Sequence, residues 1–299
     1  MKTSSLMPVV LIASQLLVAC GSDSDSPSDP PATATQSKVD IVDTAVAAGS
    51  FTELAKALTD AGLLSALKGA GPFTVFAPTD AAFSDFEREN PGVLAGLSKE
   101  ALKEILEYHV VSGPALASDS FENGQAFVTL SGAPLLVSTA DGVKVNDADV
   151  TTADVLATNG VIHVIDHIML PPQNDIVATA AAAGTFTALA GALTSADLVA
   201  ALQGPGPFTV FAPTDAAFAK LAAVPSGDAL KDVLLYHVAS GALGSGDLKA
   251  GAVPTLLSGE SLTIDLTNGV GVNDARVTTA NILAKNGIIH VVDSVLVPQ

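Results

Sequence analysis

The sequence predicts an α+β protein built from two tandem copies of one domain, and three observations carry that prediction. The twelve residues from Pro72 to Phe83, PFTVFAPTDAAF, recur letter for letter from Pro207 to Phe218, 135 positions later. Around them, Asp40 to Phe83 matches Asp175 to Phe218 at 33 of 44 positions, far beyond what shared composition produces, so the chain is a tandem duplication. Within each copy, apolar residues recur at helical spacing first and give way to short β-rich runs and turns, the order of an α+β domain. A second block, Val145 to Pro171, matches Val272 to Pro298 at 17 of 27 positions with an offset of 127. The second copy is therefore eight residues shorter between the blocks, a change expected in surface loops.

Taken in order, residues 1–19 read as a secretory signal peptide: Lys2 supplies a positive start and Leu6 to Ala19 is mostly apolar. That run falls short of the roughly 20 residues a membrane-spanning helix needs. Leu17-Val18-Ala19-Cys20 resembles a bacterial lipobox, and Cys20 is the single cysteine of the chain. The resemblance implies cleavage before Cys20 and acylation of both its thiol and the new amino terminus, enough lipid to anchor a protein stably. Gly21 and Ser22, with no aspartate, point by the same resemblance to the outer membrane. Ordinary signal cleavage with an incidental Cys20 is the alternative. Residues 20–37 then form a lipidated Ser/Asp/Pro-rich tether. No large apolar side chain follows Cys20 there, so the segment has nothing to offset the entropy of ordering, and a flexible coil of that length holds the domains about 20–25 Å from the lipid.

The first domain, residues 38–171, opens with Asp40 as cap of a helix whose Ile41, Val42, Ala45 and Val46 share a face, stopped by Gly49. Ser50-Phe51-Thr52-Glu53 has capping-box spacing and leads into the stripe Phe51, Leu54, Ala55, Leu58. In the second copy Thr185 keeps the cap position while Ala188 lacks the carboxylate, which predicts a weaker start. Leu63 to Leu67 and Leu198 to Leu202 read as a short third helical turn. Phe73 to Ala77, bounded by Pro72 and Pro78, reads as a buried strand. Thr79 or Asp80, and Thr214 or Asp215, then cap a short helix. Lys99 to Glu107, started by Ser98, is amphipathic and runs into Tyr108-His109; Ala229 to Leu235 runs likewise into Tyr236-His237. Short strands follow at Phe127 to Leu130, Leu135 to Ser138, Val143 to Val145, and Gly160 to Leu170 after an Asn159-Gly160 turn. The second domain, residues 172–299, matches with Leu262 to Asp265, Val270 to Val272 and Gly287 to Val297.

Thirteen basic residues face 31 acidic ones, a net charge of -18, which excludes nucleic acid as a partner and otherwise reads as generic solubility. With one cysteine no disulfide forms within the chain, so each domain relies on its own core, which about 130 residues suffice to build. The sequence has no G-x-S-x-G elbow, phosphate-cradling glycine loop or H-E-x-x-H, so neither catalysis nor a cofactor is expected. His163, Asp166 and His167 invite a metal reading, but the second copy keeps His290 and Asp293 while Ser294 replaces His167. Asp147 and Asp149 fare similarly, since Arg276 replaces the second carboxylate. No metal site is expected.

Three motifs in fixed order, each present twice, resemble the fasciclin-like (FAS1, beta-Ig-H3) domain: FTVFAPTDAAF, then Tyr108-His109 and Tyr236-His237, then Asn159 to Asp166 and Asn286 to Asp293. The resemblance implies a β-sheet wedge packed with a cluster of helices, in secreted or membrane-anchored proteins that mediate adhesion. It implies structural roles for Thr79, Asp80, Asn159, Gly160, His163 and Asp166, and for Thr214, Asp215, Asn286, Gly287, His290 and Asp293. It makes Tyr108, His109, Tyr236 and His237 the candidate binding residues, a pair linked in animal relatives to integrin-type adhesion. Residue chemistry favours packing instead: a histidine at a helix end amid apolar neighbours usually holds carbonyls or a carboxylate, with Asp80 and Asp215 as the expected partners. The expected function is that of an exported, lipid-anchored surface or periplasmic protein, monomeric, adhering to a surface protein, matrix or polysaccharide. The alternatives are a small-ligand or polysaccharide-binding, possibly enzymatic, pocket near the Tyr-His motif and a passive envelope spacer. The absence of Trp and the presence of only two Tyr weigh against sugar stacking.

Overall fold

Asp40 accepts the Asp43 amide at 2.9 Å and so caps α1 (Ile41–Ala48). The computed structural model describes residues 39–298; the signal peptide, Cys20 and the 20–37 tether lie outside the described residues. α2 (Thr52–Ala61) follows without a side-chain cap of its own, its start at Phe51 making no such bond, so the predicted capping box does not form. After α3 (Leu64–Leu67) comes β1 (Phe73–Pro78), then α4 (Asp80–Glu89), whose Ala82 amide is accepted by Thr79 Oγ1 at 3.2 Å. α5 (Val93–Gly96) and α6 (Lys99–Tyr108), capped by Ser98, complete the helices. β2 (Val110–Ser112), a 3-10 turn at Ser118–Ser120, β3 (Gln125–Val128), β4 (Pro134–Ser138), β5 (Lys144–Val145), β6 (Ala148–Ala157) and β7 (Gly160–Ile165) complete repeat one.

The seven strands form one sheet in the order β2-β1-β7-β6-β5-β4-β3. β1 and β7 are parallel, Phe73 beside Gly160 through Pro78 beside Ile165, and the other pairs are antiparallel. β6 carries register shifts at Val150–Thr152 and Thr152–Val155, and such bulges bend a strand. The sheet curls until its ends meet: Leu130 N–H donates to Val110 O at 2.8 Å and Val111 bridges Thr129. Successive strand residues face opposite sides, which explains why β1 is apolar throughout. Val75 and Ala77 join Ile41, Leu54, Leu58, Leu106 and Ile162 in a core beneath the helices. Phe76 points the other way, into a second core with Tyr108, Leu135, Val145, Ile165 and Met169 inside the curl.

Repeat two follows the same plan through α7 (Ile176–Ala183), α8 (Thr187–Ser195), α9 (Val199–Leu202), β8 (Phe208–Pro213), α10 (Asp215–Phe218), α11 (Asp228–Tyr236), β9 (Val238–Ser240), β10 (Gly251–Pro254), β11 (Ser261–Asp265), β12 (Gly271–Val272), β13 (Ala275–Ala284) and β14 (Gly287–Val292). The protein is thus α+β, two copies of a curled sheet packed with helices. The length difference between copies does not fall only in loops. α10 has four residues against ten in α4, and α5 has no helical counterpart among the described residues. β6 and β13 carry no clear strand signal in the sequence, because ADVTTADVLA lacks a clean apolar alternation, and β6 lies half exposed. The strand expected over 160–170 stops at Ile165, and the chain beyond it turns Met169 into the inner core. Among the described residues no helix is long and apolar enough to cross a membrane.

Candidate functional site

The Tyr-His motif sits where α6 hands the chain to β2. Tyr108 is fully buried inside the curl, its hydroxyl donating to Pro134 O at 2.9 Å and accepting from Asn146 Nδ2 at 2.9 Å. Burial pushes the phenol up to about 12. Asn146 itself, in a left-handed backbone conformation, exchanges two bonds with Leu136: Leu136 N–H donates to its Oδ1 and its own N–H donates to Leu136 O. His109 is 2% exposed. Its Nδ1–H donates to Ile105 O at 2.8 Å, one turn back on α6, and its Nε2 accepts the Met169 N–H at 3.0 Å. These bonds select the neutral Nδ1–H tautomer, and burial drives the imidazole pKa down to about 4. Repeat two reproduces the set: Tyr236 with Ser261 O and Asn273 Nδ2, and His237 with Val233 O at 2.7 Å and Leu296 N–H at 2.9 Å. The motif therefore ties the end of one helix to the sheet interior and to the segment after the last strand.

Asp80 and Asp215 are not the partners of these histidines. Asp80 Oδ1 accepts the Glu53 amide at 2.8 Å, and Asp215 accepts the Ala188 amide at 2.7 Å and the Thr187 hydroxyl at 2.5 Å. Each carboxylate thus supplies from a distance the N-terminal cap that α2 or α8 lacks, a stabilising place for negative charge. Asp215 is held below the usual carboxylate range by the Thr187 hydroxyl and Ala188 amide; at Asp80 burial pushes upward, but the Glu53 and Thr52 amides prevail. The expectation that Ala188 weakens the second helix start is likewise corrected, because the cap comes from Asp215 and not from position 188. Thr79 and Thr214 cap α4 and α10.

Asn159 does more than turn the chain. Its Oδ1 accepts the Ile41 amide at 2.9 Å while Nδ2 donates to Leu67 O and Gly69 O, binding the start of α1 to the end of α3. Asn286 does the same with Ile176, Leu202 and Gly204. Gly160 and Gly287 lie against β1 and β8 so closely that a Cβ would fall 2.0 Å from Phe73 O or Phe208 O. His163 is buried, Nε2–H donating to Leu116 O at 2.9 Å and its ring stacked on Phe76; His290 repeats this with Leu243 O and Phe211. Burial holds both imidazoles below their ordinary range. Asp166 accepts the Asp149 amide at 2.8 Å and Asp293 the Arg276 amide at 2.9 Å. His167 lies exposed against Asp166, away from buried His163, so the two histidines do not converge.

Among the described residues every buried side-chain nitrogen and oxygen has a hydrogen-bond partner. The cavity bordered by His109 measures about 20 Å³ among apolar side chains, as does its equivalent at His237, space for about one water. A larger open groove of about 840 Å³ belongs to repeat one. Phe83, Leu94, Leu97 and Leu102 line it together with Glu53, Asp60, Glu87, Lys56 and Lys99; α4 and α5, shortened or missing in repeat two, supply part of that lining. Sequence reasoning missed Asn146 and Asn273, although the retained Asn-Asp-Ala at both sites was a usable signal.

The Fasciclin domain model matches residues 49–171 and 184–298. Transforming growth factor-beta-induced protein ig-h3 of Sus scrofa is 29% identical over 244 residues, which cover 78% of this chain and 36% of that protein. Protein sll1483 of Synechocystis is 45% identical over 142 residues, covering 47% of this chain and 78% of that protein. A solved FAS1 domain pair from the insect cell adhesion molecule Fasciclin I aligns at 20% identity with a TM-score of 0.37, over 84% of this chain and 97% of that one.

Proposed function

Because the chain belongs to the fasciclin domain family, we propose that it is an exported, lipid-anchored envelope protein whose two domains, residues 38–171 and 172–299, bind a surface protein, matrix or polymer without catalysis. The observation that supports this reading is the interior use of the Tyr-His motif. Both nitrogens of His109 and of His237 are engaged by backbone groups, and burial keeps both rings neutral at ordinary pH. Neither ring is free to act as a base or to touch a partner, so recognition falls to the outer surface. Attachment to the envelope is assigned to acyl chains on Cys20, each buried methylene contributing about 0.8 kcal/mol.

A second reading, binding of a small ligand or polysaccharide, is favoured by the groove beside α4 and α5. It is not favoured by the Tyr-His region, where a metabolite has no room. The test is retention of whole cells and extracted envelope polymers on the immobilised Cys20→Ser protein. Retention that survives Phe83→Ala and Leu94→Ala supports recognition by another face, and retention lost with them transfers the assignment to the groove. No retention above a denatured control would sink the binding proposal.

A further inference from the structure

The two repeats meet through more than the chain at Pro171-Pro172. The loop entering β3, residues 122–126, lies against the loop before β10, residues 243–249. Gly246 N–H donates to Gly124 O at 2.9 Å. Asp247 Oδ2 accepts Ala126 N–H from across the joint at 2.8 Å and Gly244 N–H from its own loop at 2.9 Å. Lys249 pairs with Glu122 at the rim, and Lys285 reaches Glu104 on α6 at 2.8 Å.

The approach is so close that side chains do not fit. A Cβ on Gly244 would lie 2.1 Å from Gly124 O, one on Gly246 2.5 Å from Asn123 O, and one on Gly124 2.2 Å from Ser245 Oγ. Glycine is required wherever backbone meets backbone in this way. Asp247 adds a charge-assisted acceptor, which holds amide donors more strongly than a neutral oxygen.

The corresponding loop of repeat one is identified by the sheet histidines, since His163 Nε2 bonds Leu116 O where His290 Nε2 bonds Leu243 O. Counting onward, Ala117, Ser118, Asp119 and Ser120 stand where repeat two has Gly244, Ser245, Gly246 and Asp247. Repeat one therefore carries Cβ atoms at both positions that the joint needs bare, and a hydroxyl in place of the carboxylate.

We propose that residues 244–247 form a socket that locks the two repeats into one rigid body, and that Ala117 and Asp119 deny repeat one the same socket. The joint then forms once within each chain and does not propagate from chain to chain, the usual hazard of a head-to-tail contact. Domains joined by a short linker move relative to each other by default. Here the socket removes that freedom, so whatever the repeats bind meets two surfaces at one fixed spacing.

The test uses the full chain carrying Cys20→Ser, with Asp60→Cys and Ser195→Cys at equivalent exposed helix positions for paired spin labels. Double electron–electron resonance is expected to give one narrow distance peak. Gly246→Asp, the residue of repeat one, and Asp247→Ala are each expected to lose that peak to a broad distribution while circular dichroism stays unchanged. Asp247→Asn, which keeps an acceptor oxygen, retains it. A broad distribution in the parent, or a narrow one in Gly246→Asp, overturns the socket. Light scattering is expected to show monomers at all concentrations, and chain growth with concentration overturns the claim that repeat one is closed.

Discussion

Mild acidification should destabilise this protein through two buried imidazoles. In the folded state His109 donates from Nδ1 to Ile105 O and accepts the Met169 amide at Nε2. A second proton on Nε2 would face that amide donor and place a charge in the core beneath the helices. Burial accordingly lowers the pKa of His109 to about 4, and that of His237 likewise, against an ordinary value near 6.5. The folded pKa lies below the unfolded one, so between them the unfolded chain binds protons that the folded chain refuses. Stability is complete above about pH 6.5, falls as the pH drops through the window, and levels off near pH 4. At pH 5 each imidazole then removes roughly 2 kcal/mol, or about 4 kcal/mol if both repeats unfold together. That is a large share of the 5–15 kcal/mol typical of a domain. His163 and His290 shift in the same direction through burial. His167, raised by its bond to Asp166, works oppositely, but it is exposed and weakly coupled. The lowered carboxylates Asp80, Asp154, Asp166 and Asp215 contribute stability that is lost only below about pH 3.8, outside this window. Urea unfolding followed by circular dichroism at pH 7.5, 6.0 and 5.0 reads the effect. His109→Gln with His237→Gln should start less stable and show a flatter pH profile. Stability that is constant or rising between pH 7.5 and 5.0 refutes the reasoning.

Other expectations follow from the same contacts. Cys20→Ser should move the protein from the membrane to the soluble fraction on cell fractionation; continued membrane association counts against the lipid anchor. Asp80→Ala strips a cap supplied across the fold and should cost about 1 kcal/mol, seen as a lower melting temperature; Asp215→Ala should lower the melting temperature in the same direction, and unchanged melting in either contradicts the assigned role. Asn159→Ala leaves the Ile41 amide and two carbonyls without their partner and should cost about 1–3 kcal/mol. Asn286, more buried than Asn159, should cost more, and the reverse order on denaturant titration would overturn the burial argument.

Much of the helical half was legible because its signals are local. Asp40 caps a helix three residues away and the Phe51-Leu54-Leu58 stripe buries one face, both fixed by the geometry of a single turn. The two-sided burial of β1 was equally visible, since FTVFAP has no polar face beyond the satisfied hydroxyl of Thr74. The partner of Asp80 is not readable locally, because the amide donor its carboxylate accepts from, Glu53 N–H, lies 27 residues upstream, beyond any local pattern. The packing role of His109 was readable from its apolar surroundings, yet the group that completes it, the Met169 amide, is 60 residues on.

The sequence by itself determined the duplication, the fasciclin family and the order of helices and strands, because repetition and periodicity are properties of neighbours along the chain. Only the tertiary structure decided which groups meet: that Asp80 caps α2, that Asn159 binds α1 to α3, and that Gly244 and Gly246 mark a joint between repeats and not a loop. The reason is physical. Such contacts depend on backbones from distant segments coming within hydrogen-bond reach, and folding alone sets that distance.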